Sequence, residues 1–202
     1  MSYILYLALI AIVAYLIGSI PTGYIIVKLK TGQDIREVGS GSTGATNVKR
    51  VLGKAWFFIV MILDAIKGAL PVVLAAYLSF KFGDAMRIAP PLAATCVIIG
   101  HSKPLFLGFR GGKSVASGVG TIIALCPLAG VSIAVIWAII TYISKYVSLG
   151  SIIAVSCAPL LMYVFKQPIS YVVYCALGAL YIIYLHRENI KRLIKGEENK
   201  VR

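Results

Sequence analysis

The sequence predicts an all-α fold: a polytopic membrane helix bundle of seven transmembrane helices, N-terminus out and C-terminus in, forming a single integral membrane domain over residues 1–202. Three observations lead there. The chain is 59% hydrophobic, more apolar surface than a soluble domain needs. Its apolar residues come in blocks long enough to span, or nearly span, a bilayer. Its cations gather at the ends of those blocks and mostly on one side. The net charge of +13 suits anionic lipid head groups and anionic substrates. Because the cations sit at helix ends rather than on a soluble face, no nucleic-acid partner is expected.

The first helix runs from Tyr3 to Ile20, breaks near Pro21-Thr22-Gly23 and continues to Val27; with no charged leader or cleavage site, Met1–Ile20 reads as a retained helix. A polar stretch follows from Lys28 to Lys54. The second helix, Ala55–Phe80, carries Asp64, Lys67 and Pro71 inside it, and an outer turn holds Lys81, Asp84 and Arg87. The third run, Ile88–Ile99, is only about 18 Å long at 1.5 Å per residue. The fourth, Val115–Cys126, is equally short and ends at Pro127. The fifth covers Leu128–Ile143, the sixth Leu149–Phe165 and the seventh Ile169–Leu185, before a basic tail.

Charge asymmetry sets the orientation. With the C-terminus inside, sixteen of the 20 Lys and Arg fall on inner segments and only Lys81, Arg87 and Lys166 outside, with Lys67 inside a helix. A five-span alternative makes Ile88–Cys126 a re-entrant hairpin and leaves both termini on the same sides. Either way the short helices sink the loop between them below the head groups.

Three polar stretches share that inner side. Gly39–Arg50 (GSGSTGATNVKR) offers hydroxyls and an amide and then two cations just before a helix, groups that suit phosphate oxygens; Ser40, Thr43, Asn47 and Arg50 are its candidate binding residues. Gly100–Ser114 (GHSKPLFLGFRGGKS) holds His101, Lys113 and the pair Gly111-Gly112, whose backbone can approach an anion at the start of the next helix. It is not a nucleotide P-loop, because the required glycine is replaced by Leu107 and no strand precedes it. The third stretch begins at His186. On a continuing helix His186 and Asn189 lie at i and i+3 on one face, while Leu193 ends the polar patch. Histidine there suits proton transfer or phosphate binding; the cations beyond it suit a membrane-anchoring tail.

Asp64 and Lys67, three residues apart on one helix face, read as an internal ion pair, with Lys67 alternatively reaching toward the polar side. Ser151, near the inner end of the sixth helix, is a further candidate wall residue. Cys96, Cys126, Cys157 and Cys175 lie in or at the ends of apolar runs without metal-ligand or disulfide spacing; no metal and no cofactor are expected.

The stretches GSGSTGATNVKR, GHSKPLFLGFRGGKSVASGVG and HRENIKRLIKGEE, in this order and spacing, resemble the three motifs of the bacterial acyl-phosphate:glycerol-3-phosphate acyltransferase family. The resemblance covers nearly the whole chain. It implies an inner-membrane enzyme with its active site on the cytoplasmic side. Such an enzyme moves a fatty acyl group from acyl phosphate to the 1-hydroxyl of glycerol 3-phosphate, giving lysophosphatidic acid and phosphate. Acyl phosphate, glycerol 3-phosphate and membrane lipid are the implied partners. It assigns His186 and Asn189 to catalysis, and Ser40, Thr43, Asn47, Arg50, His101, Gly111, Gly112, Lys113 and Ser151 to substrate binding. One departure stands at Ser114, where the family motif has glycine. The H-x4-D motif of other glycerolipid acyltransferases is absent, since Phe106 and Lys191 stand where the acid would be. The competing class is a membrane transporter of a small phosphorylated anion, disfavoured because polar groups cluster on one side only.

Overall fold

In the computed structural model, residues 3–84 and 87–201 are described. Met1 and Ser2, at the head of the segment expected to be retained, and the last tail cation, Arg202, lie outside them. Every regular element among the described residues is helical: α1 (Tyr3–Gly18), α2 (Thr22–Thr31), α3 (Ala45–Leu52), α4 (Lys54–Phe82), α5 (Ala89–Ser102), α6 (Val115–Leu125), α7 (Pro127–Ser144), α8 (Val147–Val164), α9 (Ile169–Leu185) and α10 (Arg187–Ile194). Two single 3₁₀ turns, Ile35–Glu37 and Leu105–Leu107, lie in the loops between α2 and α3 and between α5 and α6.

Four stretches are long and apolar enough to cross a membrane: Tyr3–Thr31, α4, α7 and α8. A fifth is reached if α9 and α10, bent by 61° at their junction, count as one broken span. α5 and α6, at 14 and 11 residues, fall short of a crossing. The first helix breaks where Pro21 removes a backbone donor, as expected, but resumes to Thr31 rather than stopping at Val27. α5 extends through Gly100, His101 and Ser102, which were expected to open the loop. Ser102 Oγ bonds back to the carbonyls of Ile98 and Ile99, at 3.0 and 3.1 Å, and holds that last turn.

The bundle is apolar on its flanks and buries several polar groups within an otherwise apolar core. Side chains such as Ile4, Phe80, Leu128 and Leu177 are exposed on its flanks, whereas Asp64, Lys67, His101, Ser117 and Thr121 are buried. This is the pattern of a chain whose outer solvent is lipid. α4 is the hub, packing on α1, α3, α5 and α6. It meets α6 closely because glycines face backbone there. A Cβ at Gly68 would come 2.3 Å from the Ser117 carbonyl oxygen, and one at Gly120 2.0 Å from that of Ala65. At the end of the bundle where α4 finishes and α5 begins, Asp84 accepts hydrogen bonds from Tyr3, Ser79 and the Ala89 amide, tying α1, α4 and α5 together.

Asp64 and Lys67 form an ion pair at 2.8 Å, both side chains buried. Lys67 Nζ also donates to the Ile20 carbonyl at 2.7 Å, at the break between α1 and α2. The pair therefore stabilises a broken helix as well as itself. Lys67→Met leaves Asp64 buried and unpaired, and thermal unfolding in detergent should report a loss of about 3–5 kcal/mol. Lys67→Met with Asp64→Leu should regain the part of that loss due to the unpaired carboxylate, but not the part due to the Ile20 carbonyl.

Candidate active site

The three polar stretches, far apart in sequence, line one open cavity of about 1090 Å³ at the end of the bundle where α3, α6, α8 and α10 begin. Each is built by a different local device.

In the first stretch the organiser is Asn47, in the first turn of α3 and fully buried. Its Oδ1 accepts from the Ser40 amide at 2.9 Å, and its Nδ2 donates to the carbonyls of Ile35, Val38 and Ser42 at 3.1, 2.9 and 2.9 Å. The Asn47 side chain, which also lines the cavity, is thus engaged in shaping the loop. Thr43 is buried and stands outside the cavity lining. Ser40 and Arg50 do line the cavity. Arg36, held by Asp34, reaches across to the Leu107 carbonyl at 3.2 Å and ties this loop to the next.

In the second stretch the chain doubles back over His101. The Gly112 and Gly111 amides donate to the carbonyls of His101 and Ser102, at 3.1 and 3.2 Å. These amides were expected to cradle phosphate; instead they pin the loop to α5, and neither glycine lines the cavity. Gly112 must be small because a Cβ there would come 2.2 Å from His101 Nε2. His101 itself is buried at the cavity wall, with Nδ1 2.9 Å from Ser117 Oγ on α6. Ser114 answers the question raised by its departure from glycine. It adopts the left-handed conformation, φ 60° and ψ 15°, and its hydroxyl donates to the Ile98 carbonyl at 2.6 Å. That hydrogen bond offsets the strain and leaves the loop path intact.

The third stretch does not continue α9. The chain bends by 61° at His186, and this bend brings both His186 and Asn189 to the cavity. His186 Nδ1 donates to the Ile182 carbonyl at 2.8 Å, so Nδ1 carries the proton and Nε2 is the ring nitrogen able to accept one. Lys113 crosses from the second stretch to donate to Asn189 Oδ1. Burial, with Arg192 and Arg50 nearby, pushes the Lys113 ammonium down to about 8, against the opposing pull of Glu198. Ser151 lines the cavity with its hydroxyl turned to the Val147 carbonyl at 2.8 Å.

The cavity has two chemical halves. Arg50, Lys113, His186, Asn189 and Arg192 make a cationic, hydrogen-bonding wall; Phe57, Met61, Ile62, Val119, Ala134 and Trp137 make an apolar one. Such a cavity can hold a phosphorylated head and an aliphatic tail together. Among the described residues no cluster of His, Cys, Asp and Glu is placed to hold a metal ion. Ser148 and Glu198, not singled out from the sequence, also line it. The available signal for Glu198 was an acidic pair closing an otherwise basic tail.

The family model described as glycerol-3-phosphate acyltransferase matches residues 8–196. The chain belongs to the glycerol-3-phosphate acyltransferase family. A relative of that name from Trichormus variabilis is 44% identical, over 95% of this chain and 90% of the relative. One from Clostridioides difficile is 41% identical, over 99% of this chain and 96% of the relative. The crystal structure of PlsY (YgiH), an integral membrane glycerol 3-phosphate acyltransferase, in its glycerol 3-phosphate form superposes with a TM-score of 0.90 at 39% identity, covering 98% of this chain and 96% of that one. Its lysophosphatidic acid form gives 0.87 at 36% identity, with the same coverage.

Ser114 gives a direct test of the loop. Ser114→Ala keeps the left-handed strain and loses the hydrogen bond, so it should destabilise by about 1–2 kcal/mol. Ser114→Gly loses both strain and bond and should stay within about 1 kcal/mol of the parent. Thermal unfolding of the two variants checks the order.

Proposed function

We propose that this protein transfers a fatty acyl group from acyl phosphate to the 1-hydroxyl of glycerol 3-phosphate, forming lysophosphatidic acid and phosphate. The observation that carries the reading is the mixed cavity, where residues of three distant segments bring cationic and hydrogen-bonding groups together with apolar side chains in one lining. Membership of the family supports the acceptor, and the solved neighbour has a glycerol 3-phosphate form and a lysophosphatidic acid form.

The hydroxyl oxygen attacks the acyl carbonyl carbon, a new C–O bond forms, and the C–O bond to the phosphate breaks. Acyl phosphate carries a good leaving group, so alignment and charge stabilisation can supply much of the acceleration without a covalent nucleophile. Lys113 and Arg50 hold the phosphates, with Ser40 and Ser151 on the same wall. Asn47, Thr43, Gly111, Gly112 and His101 serve by shaping the loops that carry them. His186 Nε2 receives the hydroxyl proton or orients that hydroxyl, with Asn189 beside it. The aliphatic chain lies along the apolar wall and opens to membrane lipid.

The same proposal includes the topology. Seven spans, counting short α5 and α6, put the N-terminus outside and the C-terminus inside, the arrangement favoured by the cation count. The site then opens to the cytoplasm at a bacterial inner membrane.

Purified protein in detergent, given both substrates, should release phosphate and form lysolipid. Absence of turnover together with glycerol 3-phosphate uptake into proteoliposomes would favour the transporter class instead. The Lys113 ammonium is charged below about pH 8, and substrate phosphate is a dianion above about pH 6. kcat/KM for glycerol 3-phosphate should therefore hold between about pH 6 and pH 8 and fall about tenfold per unit above that. Lys113→Ala should be weak throughout and lack that limb.

A further inference from the structure

Of the three acids that line the cavity, Asp64, Glu188 and Glu198, Glu198 is the one bonded to both Asn189 and Arg192. Glu198 lies in the extended tail beyond α10, its side chain 7% exposed. Ser148 Oγ and Asn189 Nδ2 donate to its Oε1 at 2.9 and 2.7 Å, and Arg192 Nε donates to its Oε2 at 2.7 Å. The tail is docked twice more. The Val201 amide donates to the Lys145 carbonyl at 2.7 Å, and Lys200 Nζ stands 5.7 Å from the centre of the Tyr146 ring. Burial opposes the Glu198 charge, but the hydrogen bonds from Asn189, Arg192 and Ser148 hold its carboxyl below the usual range.

An acid at the wall that is to bind phosphates repels them, so its placement has to serve something else. Asn189 supplies the reason. A carboxylate can only accept, so Glu198 takes the Nδ2 end of the amide and turns Oδ1 toward Lys113. With the amide turned over, Lys113 would meet an NH₂ group, donor against donor.

We infer that Glu198 is a positioning residue: through the Asn189 amide it holds the Lys113 ammonium at the cavity wall where a substrate phosphate binds. The inference rests on the proposed acyl transfer. Titratable groups from several elements face Lys113: the charged Arg50 on α3 and Arg192 on α10, the neutral His186 at the α9–α10 bend, and Glu198 opposing the arginines. The other acids at the cavity are committed elsewhere, Glu188 to Lys191 at 3.1 Å and Asp64 to Lys67 at 2.8 Å. Glu198 therefore also sustains the charge that it positions.

The test uses the full-length protein in detergent with acyl phosphate and glycerol 3-phosphate. KM, kcat and the pH profile are compared for wild type, Glu198→Ala, Glu198→Gln, Asn189→Ala and the Asn189→Ala/Glu198→Ala double variant. Glu198→Ala should raise KM for glycerol 3-phosphate roughly tenfold with a much smaller change in kcat. Its alkaline limb should move to lower pH. Glu198→Gln keeps an acceptor for Asn189 and should recover much of KM while retaining the displaced limb; it carries the test if the alanine variant misfolds. On the Asn189→Ala background, Glu198→Ala should add less than about twofold, because the two act as one unit. An active wild type with unchanged KM and pH limb in both Glu198 variants overturns the inference, as does a full additive penalty in the double variant. An inactive wild type overturns the proposed function itself, and the inference with it.

Discussion

A bundle with an apolar outside must satisfy its charges and broken backbone from within, and most of this structure follows from that constraint. No water in the bilayer core relieves an unpaired group. The break at Pro21 leaves the Ile20 carbonyl to be met by Lys67, which in turn needs Asp64. The loop before α3 has its carbonyls met by one amide, Asn47. The loop before α6 is met by α5 itself, through the His101, Ser102 and Ile98 carbonyls. Each solution fixes a turn, and the fixed turns set the position of the few polar groups left facing the cavity.

This separates two kinds of polar residue that look alike in a sequence. Asn47, Thr43, Gly111 and Gly112 are scaffold, engaged or buried away from the cavity. Ser40, Arg50, Lys113, His186 and Asn189 are the surface that the scaffold presents. The apolar wall belongs to α4, α6 and α7, of which α4 and α7 also carry exposed apolar side chains on the flanks of the bundle. One cavity can then take a phosphorylated head at the polar wall and an aliphatic chain at the apolar wall, which is what a lipid-forming transfer requires.

The helices were legible because long apolar runs and prolines act locally, and the Pro21 break and the start of α7 at Pro127 needed no tertiary information. The grouping of the three polar stretches was legible from their common side. Their division of labour was not. An asparagine aimed at substrate and one that bonds its own loop have the same residue type and setting, and only the distances to Ile35, Val38 and Ser42 distinguish them. Ser114 was read as a steric problem because its bond to Ile98 spans sixteen residues. Glu198 was absorbed into a basic tail, since nothing local announces that the tail folds back onto α8 and α10.

The central claim is that both phosphorylated substrates occupy one cavity together and that the acyl group passes directly between them. Initial rates measured while glycerol 3-phosphate and acyl phosphate are both varied test it most directly. Direct transfer in a ternary complex predicts double-reciprocal lines that intersect, with no labelled acyl group retained on the protein. Parallel lines, together with an acyl–protein adduct that forms before glycerol 3-phosphate is added, would contradict it.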